Sequence, residues 1–313
     1  MMVLGLDIGG TGIKAGLVDS SGRILRSASA ETPGDLNTLR GRLADLIGEL
    51  AATGEPEAAG IAARGIINAA TTRVEALPGA LSFLEGRFLR ELVVPPLPTG
   101  TPVAADNDAR AALAGELRWG AAQGFADAIL LTLGTGVGGA VVAGGRLLRG
   151  PGGVAGHFGH LTMDPDGPPC ICGNHGCLET FFSARAIEAA AFAVAHRGCD
   201  TRLADLVRNG ALTCAAVFEL AAAGDAYARR IVEEASRVLA AGIASLIHAF
   251  DPEAVIVGGQ IAQAGEPLFR ILREEASWRT RRLLRRDVPI VPARFTAEAG
   301  VLGAAALALE AAR

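Results

Sequence analysis

Between His160 and Glu179 the chain reads HLTMDPDGPPCICGNHGCLE, placing one imidazole (His160) and three thiols (Cys170, Cys172 and Cys177) in a stretch punctuated by Gly167, Pro168, Pro169, Gly173 and Gly176. Three thiolates and one imidazole form a closed tetrahedral donor set for Zn2+. With no position left for water, such a set suits a structural rather than a catalytic ion. Ordinary buried thiols and a disulfide are the alternatives. Free cysteines usually sit singly in apolar surroundings, whereas these lie in a polar Pro/Gly loop. A disulfide asks for an oxidising compartment, and the opening MMVLGLDIGG has no signal-peptide pattern of basic, apolar and small-residue regions. The spacing therefore predicts a metal-pinned loop, with His160, Cys170, Cys172 and Cys177 as ligands and His157 a second candidate for the imidazole.

The rest of the chain must supply the core. Its 313 residues suggest two domains. Half are hydrophobic, and apolar runs such as 126–142 are broken by glycine turns before they could span a bilayer. A formal charge of −4 disfavours nucleic acid as a partner. The one basic run, RTRRLLRR at 279–286, reads as the solvated end of a helix rather than a polyanion patch.

In chain order, VLGLDIGGTGIKAGLVD begins with an apolar strand that delivers Asp7 to a glycine turn. A second strand starts near Ile13 and a third after the Asp19–Gly22 turn. Glycines at such a tip let backbone N–H groups approach an anion, and Thr11 adds a hydroxyl. The pattern is not a P-loop, and a Gly-rich hairpin read alone is more often a structural turn than a binding one. A helical pattern covers 36–53, and AAGIAARGIIN at 58–68 reads as one short strand. After a proline-rich stretch, a strand from Pro102 to Ala105 runs into Asp106, Asn107 and Asp108, and a helix follows. Asp108 near that helix N-terminus can be a cap or a chemical group. Residues 126–148 repeat the strand, glycine turn, strand device as ILLTL, GTGVGG and AVVA, and two such tips could grip one polyphosphate. Residues 183–250 are mostly helical, Asp251-Pro252 ends them, and a buried strand then runs into Gly258-Gly259. A last strand, VPIVPA, precedes an alanine-rich helix. Cys199 and Cys214 read as buried bystanders.

Taken together, DIGGTGIKAG (7–16), DNDAR (106–110), LGTGVGGAVV (133–142), GH…CICGNHGCLE (159–179) and DPEAVIVGG (251–259) resemble the ROK family of repressors, open reading frames and kinases, over almost the whole chain. The resemblance implies an α/β chain with the two-domain actin-like, ribonuclease-H-like ATPase fold and an interdomain cleft. The small domain would hold 1–115 with the helix at 300–313 packed back on it, and the large domain 116–299 with the zinc loop. It implies a cytoplasmic, homodimeric, ATP-dependent sugar kinase that uses Mg2+ with ATP and a structural Zn2+, with neither nucleic acid nor membrane as partner.

Residue by residue, Asp108 matches the general base, and Asn107, Asp108, His157, His160 and Glu179 fall at the sugar. Asp7, Gly9, Gly10, Thr11, Lys14, Gly134, Thr135, Gly136, Gly258 and Gly259 fall at the nucleotide, Asp7 near Mg2+. The sugar side departs from the family pattern. His157 stands where such kinases usually carry glutamate, and Arg64-Gly65 and Glu75-Ala76-Leu77 replace the usual Pro-Gly and Pro-Asn-Leu. Glucose thus leads as acceptor, with fructose, mannose, an N-acetylhexosamine or another polyol behind it, and a sugar-binding regulator of little turnover as a further alternative. A repressor would carry a helix-turn-helix ahead of the first hairpin, for which residues 1–6 leave no room.

Overall fold

The computed structural model describes residues 1–52 and 54–312. The chain forms two compact units, one of Met1–Gly124, Leu147–Gly156 and Arg294–Arg313, the other of Phe125–Arg146 and His157–Ala293.

The first unit contains β1 (Met2–Ile8), β2 (Gly12–Asp19), β3 (Ile24–Glu31), α1 (Leu36–Ala51), β4 (Ala58–Ala63), β5 (Ile66–Asn68), β6 (Arg73–Ala76), β7 (Val103–Asn107) and α2 (Asp108–Trp119). Its main sheet has the order β3-β2-β1-β4-β7. β1, β2 and β3 form antiparallel neighbours, whereas β1, β4 and β7 run parallel. In the second unit lie β8 (Ala128–Leu133), β9 (Val137–Ala143), the helices α3 (Leu178–Phe181), α4 (Ala184–Ala195), α5 (Leu203–Arg208), α6 (Cys214–Ala222) and α7 (Ala226–Phe250), then β11 (Ala254–Gly258), α8 (Glu266–Thr280) and β12 (Ile290–Pro292), while the two-residue β10 (Arg146–Leu147) falls at the boundary of the units. The sheet order there is β10-β9-β8-β11-β12, again an antiparallel hairpin (β8 with β9) joined to parallel partners. The two glycine devices in the sequence are therefore the equivalent hairpins of two sheets of one plan.

The final helix, α9 (Ala299–Ala311), belongs to the first unit. β1 is buried on both faces, which is why it reads as a nearly unbroken apolar run. Leu4, Leu6 and Ile8 pack with Leu39, Leu43, Leu46, Ile47 and Leu50 of α1, each worth about 1.5–3 kcal/mol on burial. Val3 on the other face packs with Val301, Leu302 and Ala305 of α9. Alternation along the strand puts Asp7 on the α9 face with Val3. The helix lies so close that a Cβ on Gly60 of β4 would stand 1.8 Å from the Ala304 carbonyl oxygen, so only glycine fits there.

Three local expectations change. The stretch 58–68 is not one strand: Gly65, at φ +90°, turns the chain so that 66–68 leave the main sheet and pair with β6. The cap of α2 is Asn107, whose side chain accepts from Ala109 N and Arg110 N. In the basic run the helix stops at Thr280, leaving Arg281 to Arg286 as a turn in which Leu283 is exposed and Arg286 pairs with Asp251. Among the described residues no helix is long and apolar enough to cross a membrane.

Candidate active site and metal centre

The parallel register of the first sheet brings the candidate catalytic groups to one edge. Ile8 pairs with Ala63, and Ala63 with Asn107, so β1, β4 and β7 end level. Ligands of open α/β sheets bind beyond such carboxyl ends. Asp7 is near that edge, and Asp108 opens α2 with Oδ1 accepting from Ala109 N at 2.9 Å. Burial first, and then the negative charge of Asp108, push the Asp7 carboxyl up to about 6, with Lys14 pulling the other way. A carboxyl raised in this way ionises more readily beside a cation. A Cβ on Gly300 would lie 2.2 Å from Asp7 Oδ2, so the first turn of α9 accommodates the carboxylate only because that residue is glycine.

The hairpin tip beside them is closed by Gly9 N to Gly12 O (3.0 Å) and tied to β3 by Thr32, whose hydroxyl donates to Gly9 O at 2.7 Å. Gly9, Gly10 and Thr11 stand at this tip. Lys14 does not; it lies across the strand pair from Asp7 and donates to Ala297 O at 3.0 Å. Asn107 is engaged within the unit, its Oδ1 capping α2 and its Nδ2 donating to Gly65 O at 3.1 Å.

Beneath Asn107 and Asp108 runs a network that sequence reasoning missed. Arg110, fully buried, donates Nε–H to Asp106 Oδ1 (2.5 Å) and Nη1–H to the carbonyls of Gly153 (3.0 Å) and Ala155 (3.1 Å). Arg149 donates Nε–H to the other Asp106 oxygen at 2.7 Å. A buried charge persists only when so paired. The available signal was an arginine in the first turn of an alanine-rich helix, four residues after an aspartate.

In the second unit the hairpin residues Gly134, Thr135 and Gly136 follow β8, and Gly258 ends the adjacent β11, with Gly259 the first residue beyond it. Gly259, at φ +87°, lies so near Leu133 that a Cβ would meet its carbonyl oxygen at 2.3 Å. A Cβ on Gly136 would stand 2.7 Å from Glu179 Oε2, so Glu179 reaches this hairpin. His157 precedes a short 3-10 turn, Phe158–His160, that carries His160.

Glu179 also adjoins the cysteine loop. The ligand atoms of His160, Cys170, Cys172 and Cys177 all lie within 4.8 Å of one another, the one such group among the described residues, and His157 is not in it. Cys172 Sγ and Cys177 Sγ are 3.6 Å apart, and Cys170 Sγ is 3.5 Å from His160 Nδ1. A tetrahedral zinc site with ordinary bond lengths has edges of about 3.6–3.8 Å, so the donor set fits a single ion. The loop is closed by backbone bonds from Cys170 N to Asn174 O (2.8 Å) and Gly173 N to Cys170 O (3.0 Å). Burial pushes the Cys170 thiol up to about 12 and raises Cys177. At Cys172 burial is outweighed by hydrogen bonds from the Asn174 backbone and the other two thiols, and the thiol is lowered. Three neighbouring thiols ionise together only if a cation compensates them, which is the chemistry of a metal-binding set.

The ROK family model matches residues 3–311. The chain belongs to the ROK family. It is 34% identical to the glucokinase of Thermotoga maritima over 316 residues, covering 99% of this chain and 98% of that one. To the N-acetylmannosamine kinase of Escherichia fergusonii it is 35% identical over 317 residues, covering 98% of each. The crystal structure of a ROK family glucokinase from Streptomyces griseus in complex with glucose and AMPPNP superposes with a TM-score of 0.84 at 34% identity, covering 99% of this chain and 100% of that one. The α/β class is as expected, and with ROK membership comes the actin-like ATPase fold of the family's sugar kinases.

Proposed function

We propose that this ROK protein transfers the γ-phosphoryl group of ATP to a hydroxyl of a hexose, with glucose the leading acceptor. The observation that carries the reading is the placement of Asp7 and Asp108 at the level ends of β1 and β7, beside a glycine hairpin suited to phosphates. Asp108 is the base: its carboxylate takes the hydroxyl proton as the sugar oxygen bonds to the γ-phosphorus and the bond to the β–γ bridging oxygen breaks, releasing ADP. Asn107, Asp108, His157, His160 and Glu179 serve the sugar. Gly9, Gly10, Thr11, Lys14, Gly134, Thr135 and Gly136 serve the phosphates, and Gly258 and Gly259 the adenosine. The relatives named for glucose and N-acetylmannosamine phosphorylation support the reaction class.

Asp7 would hold Mg2+, which offsets phosphate charge when it enters with ATP. His160, Cys170, Cys172 and Cys177 would hold Zn2+, which cross-links the loop between His160 and Glu179 and so orients residues that contact the sugar. The protein acts as a cytoplasmic homodimer.

A second acceptor, an N-acetylated hexosamine, is favoured by His157. An imidazole can donate as well as accept, unlike the usual carboxylate, and the N-acetylmannosamine kinase is as similar to this chain as the glucokinase. A panel of hexoses, N-acetylhexosamines and polyols assayed by coupled ADP release tests both readings. Sugar-dependent ADP formation above the ATP-only rate is expected for glucose or N-acetylmannosamine, and a panel without any would defeat the proposal.

A further inference from the structure

Arg64 is the first residue beyond β4, the central parallel strand of the first sheet. Because Ala63 registers with Ile8 on one side and Asn107 on the other, the next residues along the three strands, Gly9, Arg64 and Asp108, stand in a row. The side chain of Arg64 is directed to the hairpin: its Nη1 lies 3.3 Å from the position a Cβ on Gly10 would occupy. Arg64 is exposed, and among the described residues neither carboxylate nor carbonyl takes a hydrogen bond from it. That contrasts with Arg110 and Arg149, committed to Asp106, and with Lys14, committed to Ala297 O. One row therefore holds the proposed base, an uncommitted guanidinium and the glycine tip proposed to receive phosphate.

From this arrangement we infer that Arg64 is a further catalytic residue, whose guanidinium contacts the equatorial oxygens of the phosphoryl group in flight between ATP and the sugar. The inference rests on the phosphotransfer reading above. In the transition state the negative charge is spread over those three oxygens, and a guanidinium presents a planar fork of N–H donors that matches two of them. Its position between Asp108 and Gly10 is where the transferred group must lie if the acceptor hydroxyl meets Asp108 and the remaining phosphates follow the hairpin. Contact made mainly in the transition state lowers the barrier without tightening either substrate. Exposure of Arg64 means that its loss leaves no buried charge unpaired, so the fold tolerates substitution.

The test uses the full-length, metal-loaded protein with Mg2+-ATP and the best sugar of the panel, comparing wild type, Arg64→Gln and Arg64→Lys. The expected result is a fall in kcat of roughly 10²-fold for Arg64→Gln, the size seen when one preorganised donor to a developing charge is removed. A smaller fall is expected for Arg64→Lys, which keeps the charge without the fork. KM values for both substrates should stay within about twofold and thermal melting should be unchanged. Trapping of ADP with aluminium fluoride and sugar should weaken while ADP binding is retained. Unchanged kcat in Arg64→Gln would overturn the inference, as would a rise confined to the sugar KM, which would make Arg64 a sugar-reading residue. A wild-type protein that phosphorylates no sugar would overturn the reading of the site itself and the inference with it.

Discussion

The Arg110 guanidinium donates to Asp106 at 2.5 Å with both side chains withdrawn from solvent, and the two residues bracket Asn107 and Asp108. Arg110 also holds the carbonyls of Gly153 and Ala155, in the segment that leads along the chain to His157. Arg110→Ala leaves Asp106 and those carbonyls short of a donor and is expected to cost about 3–5 kcal/mol. Arg149→Ala removes a partner that is 36% exposed and leaves Arg110 in place, so about 1 kcal/mol is expected. Chemical denaturation of the two variants checks the order; equal losses would contradict it.

Asp108→Asn keeps the bulk of the side chain and an acceptor for Ala109 N, and the helix cap belongs to Asn107. Turnover should therefore fall by at least about 10²-fold, the lower end for a positioned acid–base group, while melting temperature and ATP affinity hold. Undiminished sugar-dependent ADP release would remove Asp108 as the base.

Gly300→Ala tests the position of Asp7. The added methyl would occupy the space of the Asp7 carboxylate, and alanine is a better helix residue by about 1 kcal/mol. Catalytic efficiency toward Mg2+-ATP should drop sharply, and the clash with Asp7, about 1–3 kcal/mol for overpacking, should cancel or exceed the helix gain in stability. Full activity, measured against the melting curve of the same preparation, would show that Asp7 need not stay where it is.

The carboxyl of Asp7, at about 6 in the folded protein against an ordinary 3.8, gives a signed pH dependence. Between these values the folded state holds the proton that the unfolded chain releases. This group's contribution to stability is therefore full below about pH 4, declines toward pH 6 and is flat above. Asp7→Asn should abolish that decline and leave the protein more stable than wild type at pH 8. Activity runs the other way, since a protonated Asp7 cannot hold Mg2+, so kcat/KM for Mg2+-ATP should fall as pH drops below about 6. Melting curves and initial rates across pH 4 to 8 measure both slopes.

Cys172→Ser removes one donor of four. Bound zinc, measured by elemental analysis, should fall, and the sugar KM should rise by roughly 10- to 100-fold, the range for weakened support of ligating groups, with the ATP KM little changed. A zinc-free variant with an unaltered sugar KM would refute the indirect role of the loop.

Much of this protein was legible in its residues because the relevant signals are local. Short apolar runs named the strands of both hairpins, the glycine turns between them were explicit, and the His160–Cys177 spacing pointed to one cluster before any geometry was known. The break at Gly65 was harder to see, since AAGIAARGIIN keeps a strand-like composition while one positive φ sends half of it to another partner. What only the tertiary structure decided is which distant residues share an edge. Parallel pairing of β1, β4 and β7 brings Asp7, Arg64 and Asp108 to one sheet edge; α9, from the far end of the chain, arrives with Gly300 against Asp7; and Arg110 finds its partners at Gly153 and Ala155. Those relationships arise from strand register and helix packing across hundreds of residues, and composition, periodicity and motif spacing carry no record of either.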